Sequence, residues 1–449
     1  MKIKNRVKVP EQDANIRVKN FDEVCLGYTK EQAIKEANRC LQCKNPLCVQ
    51  GCPVNVRIPE FIQLIKNGDF DTALSKIKET NNLPGVCGRV CPQEKQCEAK
   101  CILGIKGEAV AIGKLERFVA DYGKNKKIIK KKPNGKKIAI IGSGPSGLTC
   151  ANDLNILGYD VTIFEALHLA GGVLAFGIPK FRLPVKILNE EIKAIIDSGV
   201  KIKTDYVIGR TLTMEQLSDE FNAIFIANGA GLPYFMNIPG EELVNVYSAN
   251  EFLTRVNLMH ANDFPNNDTP ITRAKKTVVV GAGNVAMDAA RTARRLGSEI
   301  ILVYRRTKKE APARVEEITH AEEEGIKFKF LYNPVEILGD KKVTGIKLQK
   351  MQMGKPDESG RARPEPLDEF EKIDCDQVII AIGQGPNPIL TNDTDLKVNH
   401  GRIIVNSKFQ TNNAKVFSGG DIIGGETTAI KAMGDGKKAA VAIDEFLNK

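Results

Sequence analysis

The sequence predicts an α/β protein in which a small helical N-terminal domain precedes two domains built from βαβ units. Eight of the 11 cysteines fall within residues 40–101, among short amphipathic helical patterns. Two later segments, beginning at Lys136 and Lys275, each show an apolar strand, a glycine-rich turn, a helix and a second strand. Residues 375–449 add strands and a glycine turn, and we expect this segment to complete the first βαβ domain, so that the second is an insertion within the first.

Composition limits the classes of protein to which the chain can belong. Its 449 residues, 42% hydrophobic and 27% charged, suffice for a buried core and two or more domains. No run of about 18 apolar residues offers a membrane span, and residues 1–20 lack the apolar stretch of a secretory signal. The net charge of +10 comes from scattered lysines without interleaved aromatic residues. We therefore expect a cytoplasmic protein that binds neither membrane nor nucleic acid.

Domain boundaries follow from these patterns. The helical domain is predicted to occupy residues 1–130, with helical patterns at residues 58–66 and 71–79. A lysine-rich run at residues 123–137 is predicted to be a solvated linker. The first βαβ domain is expected at residues 131–274, the insertion at 275–372, and the return to the first domain at 373–449.

The clustered cysteines form two groups whose spacing is typical of iron–sulfur ligands. Clustered thiols in a reducing compartment indicate metal rather than disulfides. Zinc is the alternative, but no histidine lies nearby, and both groups carry the Cys-Pro step seen in cluster-binding ferredoxins. The groups are Cys40-x₂-Cys43-x₄-Cys48-x₃-Cys52-Pro53, and Cys87-x₃-Cys91-Pro92 followed by Cys97-x₃-Cys101.

Spacing leaves the assignment of single ligands open. The cysteine before proline often binds the other cluster in two-cluster ferredoxins, so Cys52 is predicted to join Cys91, Cys97 and Cys101. The first group then offers three thiolates and lacks a fourth ligand, for which Cys87 and an oxygen or nitrogen donor are the alternatives. The isolated cysteines are expected to be small buried hydrophobic residues. They are Cys25, Cys150 and Cys375.

The first glycine turn has the fingerprint of a dinucleotide-binding site. Its glycines permit a tight turn and close approach of the backbone to a pyrophosphate at the start of the next helix. Glu165 ends the following strand, where a carboxylate can accept hydrogen bonds from ribose hydroxyls. The turn therefore predicts the adenosine half of FAD or NAD. Its residues are Gly142, Ser143, Gly144, Pro145, Ser146 and Gly147.

The second glycine turn differs at the ribose position. The residue equivalent to Glu165 is Tyr304, which Arg305 and Arg306 follow. Two guanidinium groups in place of a carboxylate favour a 2′-phosphate, so NADPH is expected here, with Arg314 as a further candidate contact. The turn itself contains Gly281, Ala282, Gly283, Asn284, Val285 and Ala286.

A third glycine turn lies near the C-terminus. Gly419, Gly420 and Asp421 precede a helix rich in alanine and glycine. The aspartate can bind a flavin ribityl or phosphate-side hydroxyl, while the first amides of the helix face the ring. This position predicts a flavin contact for Gly420 and Asp421.

With these residues in hand, the chain resembles the small subunit of NADPH-dependent glutamate synthase over nearly its whole length. Related arrangements occur in the large subunit of the electron-bifurcating NADH-dependent ferredoxin:NADP oxidoreductase and in the N-terminal half of dihydropyrimidine dehydrogenase. The resemblance is carried by CLQCKNPLCVQGCPV, VCGRVCPQEKQCEAKC, GGVLAFGIPKFRLP, VYRRTKKEAPARVEE and GGDIIGGETTAIKAMGDGKKAA.

The resemblance implies a helical iron–sulfur domain with two four-iron, four-sulfur clusters, followed by two Rossmann-like domains, with the NADPH domain inserted in the FAD domain. It also implies that Glu116 completes the first cluster. Cys87 is then not a ligand. The ligand set of the first cluster becomes Cys40, Cys43, Cys48 and Glu116. Further FAD contacts implied in the same way are Gly172, Arg182 and Thr428.

The predicted activity is electron transfer from NADPH through FAD and the clusters to a partner, with no catalytic acid or base, since the cofactors supply the chemistry. We expect a hetero-oligomer. The partner is either the large subunit of glutamate synthase, or a small FAD and two-iron subunit together with ferredoxin. Two other hypotheses are weaker. The paired arginines argue against a structural NADPH site, and the absence of a CxxC motif near the flavin segments argues against a dithiol reductase.

Overall fold

The computed structural model describes residues 5–124, 130–356, 362–424 and 428–448. Residues 125–129 of the predicted linker lie outside this part of the chain. The N-terminal region consists of short α-helices, α1 to α7 in chain order. They are Ala14–Arg17, Lys30–Ala37, Leu47–Gln50, Ile58–Lys66, Phe70–Lys78, Pro84–Val90 and Ile112–Tyr122. Between α6 and α7 lie the 3₁₀ helices Gln93–Lys95, Glu98–Lys100 and Ile102–Ile105.

Local sequence explains where these helices begin and which face they bury. Thr29 caps α2 in a reciprocal capping box with Gln32, which satisfies two backbone N–H groups at the helix start. The predicted helical patterns at residues 58–66 and 71–79 are confirmed as α4 and α5. Helix α4 buries one apolar stripe at helical spacing, as expected for an amphipathic helix. Its buried residues are Ile58, Phe61, Ile62 and Ile65.

The remainder of the chain alternates strands and helices. Up to residue 226 these are β1 Lys137–Ile141, α8 Pro145–Ile156, β2 Asp160–Phe164, α9 Val173–Phe176, α10 Val185–Asp197, β3 Lys201–Lys203, α11 Met214–Glu220 and β4 Ala223–Ile226. The next elements are β5 Leu232–Pro233, β6 Val246–Ser248, α12 Ala249–Asn257, a 3₁₀ helix Ala261–Asp263, β7 Lys276–Val280, α13 Asn284–Arg295 and β8 Glu299–Tyr304.

A 3₁₀ helix at Lys308–Glu310 precedes the remaining elements. These are α14 Val315–Glu323, β9 Lys327–Phe330, β10 Tyr332–Gly339, β11 Val343–Pro356, β12 Ala362–Asp374, β13 Gln377–Ile380, β14 Gln384–Gly385, β15 Val398–Asn399, β16 Arg402–Ile403, β17 Val416–Ser418, α15 Asp421–Gly424 and α16 Ala429–Leu447.

Two parallel five-stranded sheets organise this region. The first has the order β17-β4-β1-β2-β3, and the second has the order β6-β13-β7-β8-β9. All strands of the second sheet lie between β4 and β17 in the sequence. The predicted α/β fold with the second Rossmann-like unit inserted in the first is therefore confirmed.

The boundaries between the two units, as given by strand pairing, differ from those expected from the sequence. Strand β13 was expected to return to the first unit, but it pairs with β7 in the second sheet, Gln377 opposite Thr277. Strand β6, assigned to the first unit, lies at the edge of the second sheet beside β13. Their apolar runs suit either buried parallel sheet, so strand pairing could not be read from them. The return to the first sheet occurs only at β17.

The helical domain and the first sheet share one hydrophobic core. Buried residues of α4, α6 and α7 belong to the same cluster as those of β1, α8 and α16. Where α6 meets α16, Cys87 Sγ lies 3.6 Å from Met433 Sδ. The cysteine-rich segment is thus packed directly against the domain that carries the first glycine turn. Within the described residues, no helix is both long and apolar enough to cross a membrane.

Candidate functional site

A cavity of about 970 Å³ follows the carboxyl ends of both parallel sheets. This is where open α/β sheets bind ligands, because the helix N-termini and loops converge there. Most of the predicted nucleotide-binding residues line it. From the first unit these are Gly142, Ser143, Gly144, Pro145, Ser146, Glu165, Gly172, Gly420, Asp421 and Thr428. From the second unit these are Gly281, Gly283, Asn284, Val285, Arg305 and Arg306.

The first glycine turn brings the backbone close to the cavity. Gly142 has φ +98°, and a Cβ there would stand 2.5 Å from the carbonyl oxygen of Ala227, so a side chain is excluded. Helix α8 then begins after Gly144 without a side-chain cap. Its first N–H groups are thus available to an anionic ligand. Gly147 does not line the cavity. It packs against the backbone of the turn, where a Cβ would clash with the carbonyl oxygen of Gly142.

Polar atoms of this turn fit a nucleotide. Ser146 Oγ is buried in the cavity wall and has no hydrogen-bond partner among the described residues, which suits a ligand oxygen. Glu165, at the end of β2, accepts hydrogen bonds from the backbone N–H of Ser143 and of Leu167, each at 2.9 Å. These contacts hold its carboxylate at the position predicted for ribose binding.

The C-terminal segment closes the same side of the cavity. Gly420 has φ +82°, and its N–H donates to Asp435 Oδ2 at 3.2 Å, which ties the turn to α16. Thr428 is the N-cap residue of α16. Its hydroxyl accepts a hydrogen bond from Gln96 Nε2 at 3.2 Å. Thr428 thus connects the cavity to the cysteine-rich loop.

The second glycine turn repeats this geometry. Gly281 has φ +126°, and α13 begins after Gly283 without a side-chain cap. Arg305 and Arg306 follow β8 at the cavity wall, where cationic groups can meet a phosphate. The Nε of Arg306 donates to the carbonyl oxygen of Ala362 at 3.2 Å, which anchors this side chain on β12.

Arg314 does not line the cavity, contrary to the sequence-based expectation. Its guanidinium donates to the carbonyl oxygen of Arg89 at 2.9 Å and to Gln93 Oε1 at 2.8 Å, both on the helical domain. Its backbone N–H donates to Asn284 Oδ1 at 2.9 Å. Arg314 therefore joins the inserted unit to the cysteine-rich loop, a role that depends on contacts more than 200 residues apart in sequence.

Arg182 is likewise directed away from the cavity, which contradicts the implied FAD contact. Its NH1 nitrogen lies 2.6 Å from Asp288 Oδ2, and its Nε lies 2.9 Å from Glu317 Oε1. Both carboxylates belong to the inserted unit and are buried. Since a buried guanidinium requires charged partners, these two residues determine its orientation.

The first set of thiols lies around a small cavity between α3 and the 3₁₀ helices. It contains Cys40, Cys43, Cys48 and also Cys101, which was predicted for the other cluster. All four are partly exposed. Burial raises the pKa of Cys48 to about 11, and the neighbouring Cys101 and Cys40 contribute.

The second set is buried more deeply. Burial, with smaller contributions from Glu116 and Cys91, raises the pKa of Cys52 to about 11. Burial also raises the pKa of Cys97, with contributions from Glu98 and then from Glu116, Cys52 and Cys91. Glu116 accepts a hydrogen bond from Asn81 Nδ2 at 2.6 Å, and burial raises its pKa to about 8. Cys52 and Cys97 therefore each lie close enough to Cys91 and Glu116 for the charges of these groups to affect their pKa values.

The structure therefore exchanges two members of the predicted sets. Glu116 lies near Cys52 rather than near Cys40. Cys101 lies with Cys40, Cys43 and Cys48 rather than with Cys52. Helices α6 and α7 approach closely at Gly88, where a Cβ would stand 2.5 Å from the backbone nitrogen of Arg117. This contact places Glu116 beside the end of α6, while the 3₁₀ turns carry Cys101 toward α3.

Cys87 lies beside the second set and contacts both Cys91 of that set and residues outside it. It is fully buried, and its Sγ lies 3.6 Å from Asn81 Oδ1 and 3.6 Å from Met433 Sδ. A hydrogen bond with Cys91 and burial raise its pKa well above the ordinary value. The predicted isolated cysteines behave as expected only in part, because Cys150 and Cys375 are buried whereas Cys25 is partly exposed.

Sequence reasoning missed several residues around the site. Tyr332 and Asn333 of β10 line the cavity near Arg305, and Gln96 contacts Thr428. None of them belongs to a nucleotide fingerprint. The proline-containing loop that holds Gln96 was recognised only through its cysteines, so no local signal identified this glutamine.

Comparison with known proteins agrees with this division. Residues 17–128 match the family model described as dihydropyrimidine dehydrogenase domain II, 4Fe-4S cluster. Residues 136–436 match the model of pyridine nucleotide-disulphide oxidoreductases. The solved structure of Mycobacterium tuberculosis FprA in complex with NADPH has a TM-score of 0.60 and 21% identity, covering 71% of this chain and 85% of that one, which supports the fold alone.

Two relatives cover more of the sequence. The NADP(+)-dependent formate dehydrogenase subunit beta of Moorella thermoacetica is 39% identical, over 90% of this chain and 60% of its own. The glutamate synthase [NADPH] small chain of Halomonas elongata is 35% identical, over 98% of this chain and 96% of its own. The predicted oxidoreductase class is confirmed, and the chain belongs to the family of glutamate synthase small chains.

Proposed function

We propose that this chain is the electron-input subunit of a glutamate synthase, taking electrons from NADPH and delivering them through FAD and two four-iron, four-sulfur clusters to a larger partner subunit. The observation that supports this most strongly is one continuous cavity lined by two different dinucleotide fingerprints. FAD, when bound, would supply the redox chemistry by accepting a hydride from NADPH and releasing electrons singly.

The protein's own residues have defined tasks in this proposal. The N-termini of α8 and α13 would each hold a pyrophosphate, because both begin without a side-chain cap. Glu165 would bind the FAD ribose, and Arg305 the 2′-phosphate of NADPH. Asp421 would bind a flavin hydroxyl. The packing of the inserted unit against the first would then align the two nucleotides in the shared cavity and limit the access of water.

The metal sites are proposed to follow the observed proximity of the side chains. An outer cluster would be held by Cys40, Cys43, Cys48 and Cys101, and an inner cluster by Cys52, Cys91, Cys97 and Glu116. Gln96, which precedes Cys97 of the inner set, donates a hydrogen bond to Thr428 at the start of α16. The inner set therefore lies next to the segment that is predicted to bind the flavin. Thiolates suit both clusters, and a carboxylate oxygen would replace the fourth thiolate of the inner one.

Iron content and magnetic spectra test this assignment. The unchanged protein should bind about eight iron atoms per chain, as two four-iron clusters. Cys87→Ser should retain this content, whereas Cys101→Ala should lower the outer-cluster signal and leave the inner one. Glu116→Ala should perturb the other signal. If Cys101→Ala and Glu116→Ala perturb the same signal, the proposed sets are wrong, and loss of about half the iron in Cys87→Ser would make Cys87 a ligand.

The partner can be identified by purification from the native host. We propose the large subunit of a glutamate synthase, as the words "small chain" in the names of the relatives suggest. Copurification of a small protein with FAD and a two-iron cluster would instead support the bifurcating alternative. Either result requires NADPH to bleach the flavin in the isolated chain, and absence of bleaching would contradict the electron-input role itself.

A further inference from the structure

The outer set of thiols reaches the surface beneath an apolar patch edged by lysines. Three large apolar side chains are exposed there, Leu47 by 44%, Ile102 by 40% and Ile105 by 77%. Leu47 and Ile102 line the same cavity as the outer thiols. The basic residues of the patch are exposed too. They are Lys44, Lys100 and Lys106.

The positive charge of this patch is not neutralised by ion pairs with the residues that the structure describes. None of the three lysines forms a salt bridge within residues 5–124, 130–356, 362–424 and 428–448. Glu98 and Glu108, the carboxylates nearest to Lys100 and Lys106 in the sequence, both contact Arg6, and Glu60 beside the cavity-lining Pro59 pairs with Lys76. Glu98 is buried and paired with Arg6 at 2.5 Å, and Glu108 accepts the backbone N–H of Arg6. Of Glu98 and Glu108, only Glu108 is exposed, so the patch keeps an excess of positive charge.

The inner set is more deeply buried than the outer set. Cys91, Cys97 and Glu116 are all less than a tenth exposed, and Cys52 is its one partly exposed member, whereas all four outer thiols are partly exposed. Helix α16 packs beside the inner set, since a Cβ at Gly434 would lie 3.3 Å from the carbonyl oxygen of Pro53, the residue after Cys52. An electron that leaves the chain for another protein would therefore pass through the outer thiols, where the separation from solvent is smallest.

We propose that this patch docks an acidic redox protein, one that presents carboxylates around its own redox centre. An apolar centre with a charged rim is the usual anatomy of a protein interface, and opposite charge accelerates encounter. Contacts of this kind are small and transient in electron transfer, as a three-residue apolar centre implies. The inference rests on the proposed electron-input function, because it assumes that the outer thiols carry a cluster.

Two haem proteins of opposite charge test the patch. Cytochrome b5 is acidic, cytochrome c is basic, and each accepts one electron with a colour change. The double variant Lys44→Glu with Lys106→Glu reverses the charge of two of the three lysines around the patch. Lys100 is left unchanged, because its aliphatic chain packs against Gly51 beside the thiols. At low salt, its rate constant for cytochrome b5 should fall by about fivefold or more, and its rate constant for cytochrome c should rise.

A matched control makes the same change in charge elsewhere. Lys397→Glu with Lys415→Glu alters two exposed lysines near β15 and β17. Its cytochrome rate constants should change by less than about twofold, since local charge rather than net charge guides encounter. Equal losses in both double variants would overturn the proposal, as would an unchanged cytochrome b5 rate in the patch variant.

Two further measurements separate this inference from the proposed function. Flavin bleaching by NADPH and iron content are followed in each variant before any cytochrome is added. Failure of bleaching in the unchanged chain contradicts the electron-input role, whereas normal bleaching with unaltered cytochrome rates contradicts the docking surface alone. Ile105 is 77% exposed, so Ile105→Ser should cost little stability. This variant should lower the rate constants for reduction of both cytochromes without changing how these rate constants depend on salt concentration.

Discussion

Arg305 and Arg306 are neighbours in sequence but differ in their surroundings. Arg306 is anchored on the carbonyl oxygen of Ala362, whereas Arg305 is exposed at the cavity wall. The exposed side chain can adjust to a bound phosphate at little cost in existing contacts. Arg305 is therefore the better candidate for selecting NADPH over NADH.

Replacing Arg305 by alanine should weaken NADPH binding selectively. Loss of a charge-assisted hydrogen bond costs about 1.5–3 kcal/mol, so KM for NADPH should rise by about tenfold to 150-fold. KM for NADH should change little, because NADH lacks the 2′-phosphate. Steady-state kinetics with both nucleotides measure the difference. Lys309→Ala, on the exposed 3₁₀ helix nearby, provides the control, and an equal rise for both nucleotides would contradict the role.

Single residues show how far sequence reasoning reached at this scale. Glu165 was found by counting from the first glycine, because a strand and a helix of ordinary length fix its position. Arg182 was assigned wrongly, since its partners Asp288 and Glu317 lie more than 100 residues away. Sequence spacing predicts the position of a residue relative to its neighbours in the chain. It does not predict which charged side chain of another domain will pair with that residue in the folded protein.

At the scale of elements, a buried network of charges joins α1, α13 and α14. Glu324, just after α14, pairs with Arg17 at 2.9 Å, Arg291 at 2.7 Å and Arg295 at 2.8 Å. The guanidinium groups of Arg291 and Arg295 also lie over the ring of Phe181, with Arg295 Cζ 3.9 Å from the ring centroid. The network therefore holds the N-terminal segment, the inserted unit and the Arg182 segment in fixed relation.

Removing the central carboxylate should destabilise this arrangement. Glu324→Gln leaves three buried guanidinium groups without their shared partner, which costs about 3–5 kcal/mol. The free energy of unfolding in urea measures the loss. Glu322→Gln on the same helix breaks only an exposed pair with Lys308 and should change stability by less than about 1 kcal/mol. Equal effects of the two variants would show that the network adds nothing.

The same network predicts a dependence on acid. Burial opposes ionisation of Glu324, but hydrogen bonds and charges from Arg295 and Arg291 outweigh it and lower its pKa to about 2. A pKa below the unfolded value means that the stabilisation is complete above about pH 4.3 and is lost as the pH falls toward 2. Between about pH 4.3 and pH 2, the free energy of unfolding should therefore change less steeply with pH in Glu324→Gln than in the unchanged protein.

At the scale of the whole molecule, the helical domain is part of one core with the first sheet. Apolar residues of α6, α10 and α16 belong to a single buried cluster. A chain that begins at residue 130 would expose the faces of α8 and α16 that the helical domain covers. We expect this truncated chain to bind a hydrophobic dye and to unfold at a lower temperature than the full chain. Retention of the full unfolding temperature would indicate independent domains.

The sequence by itself determined the fold class, the two fingerprints and the grouping of cysteines into a cluster-binding segment. These follow from local rules, because periodicity, glycine turns and thiol spacing act over a few residues. Only the tertiary structure decided that β13 joins the second sheet, that Arg182 and Arg314 bridge domains, and that Glu116 and Cys101 exchange sets. Each of these depends on the packing of elements far apart in the chain, and the free energy of that packing leaves no local trace in the sequence.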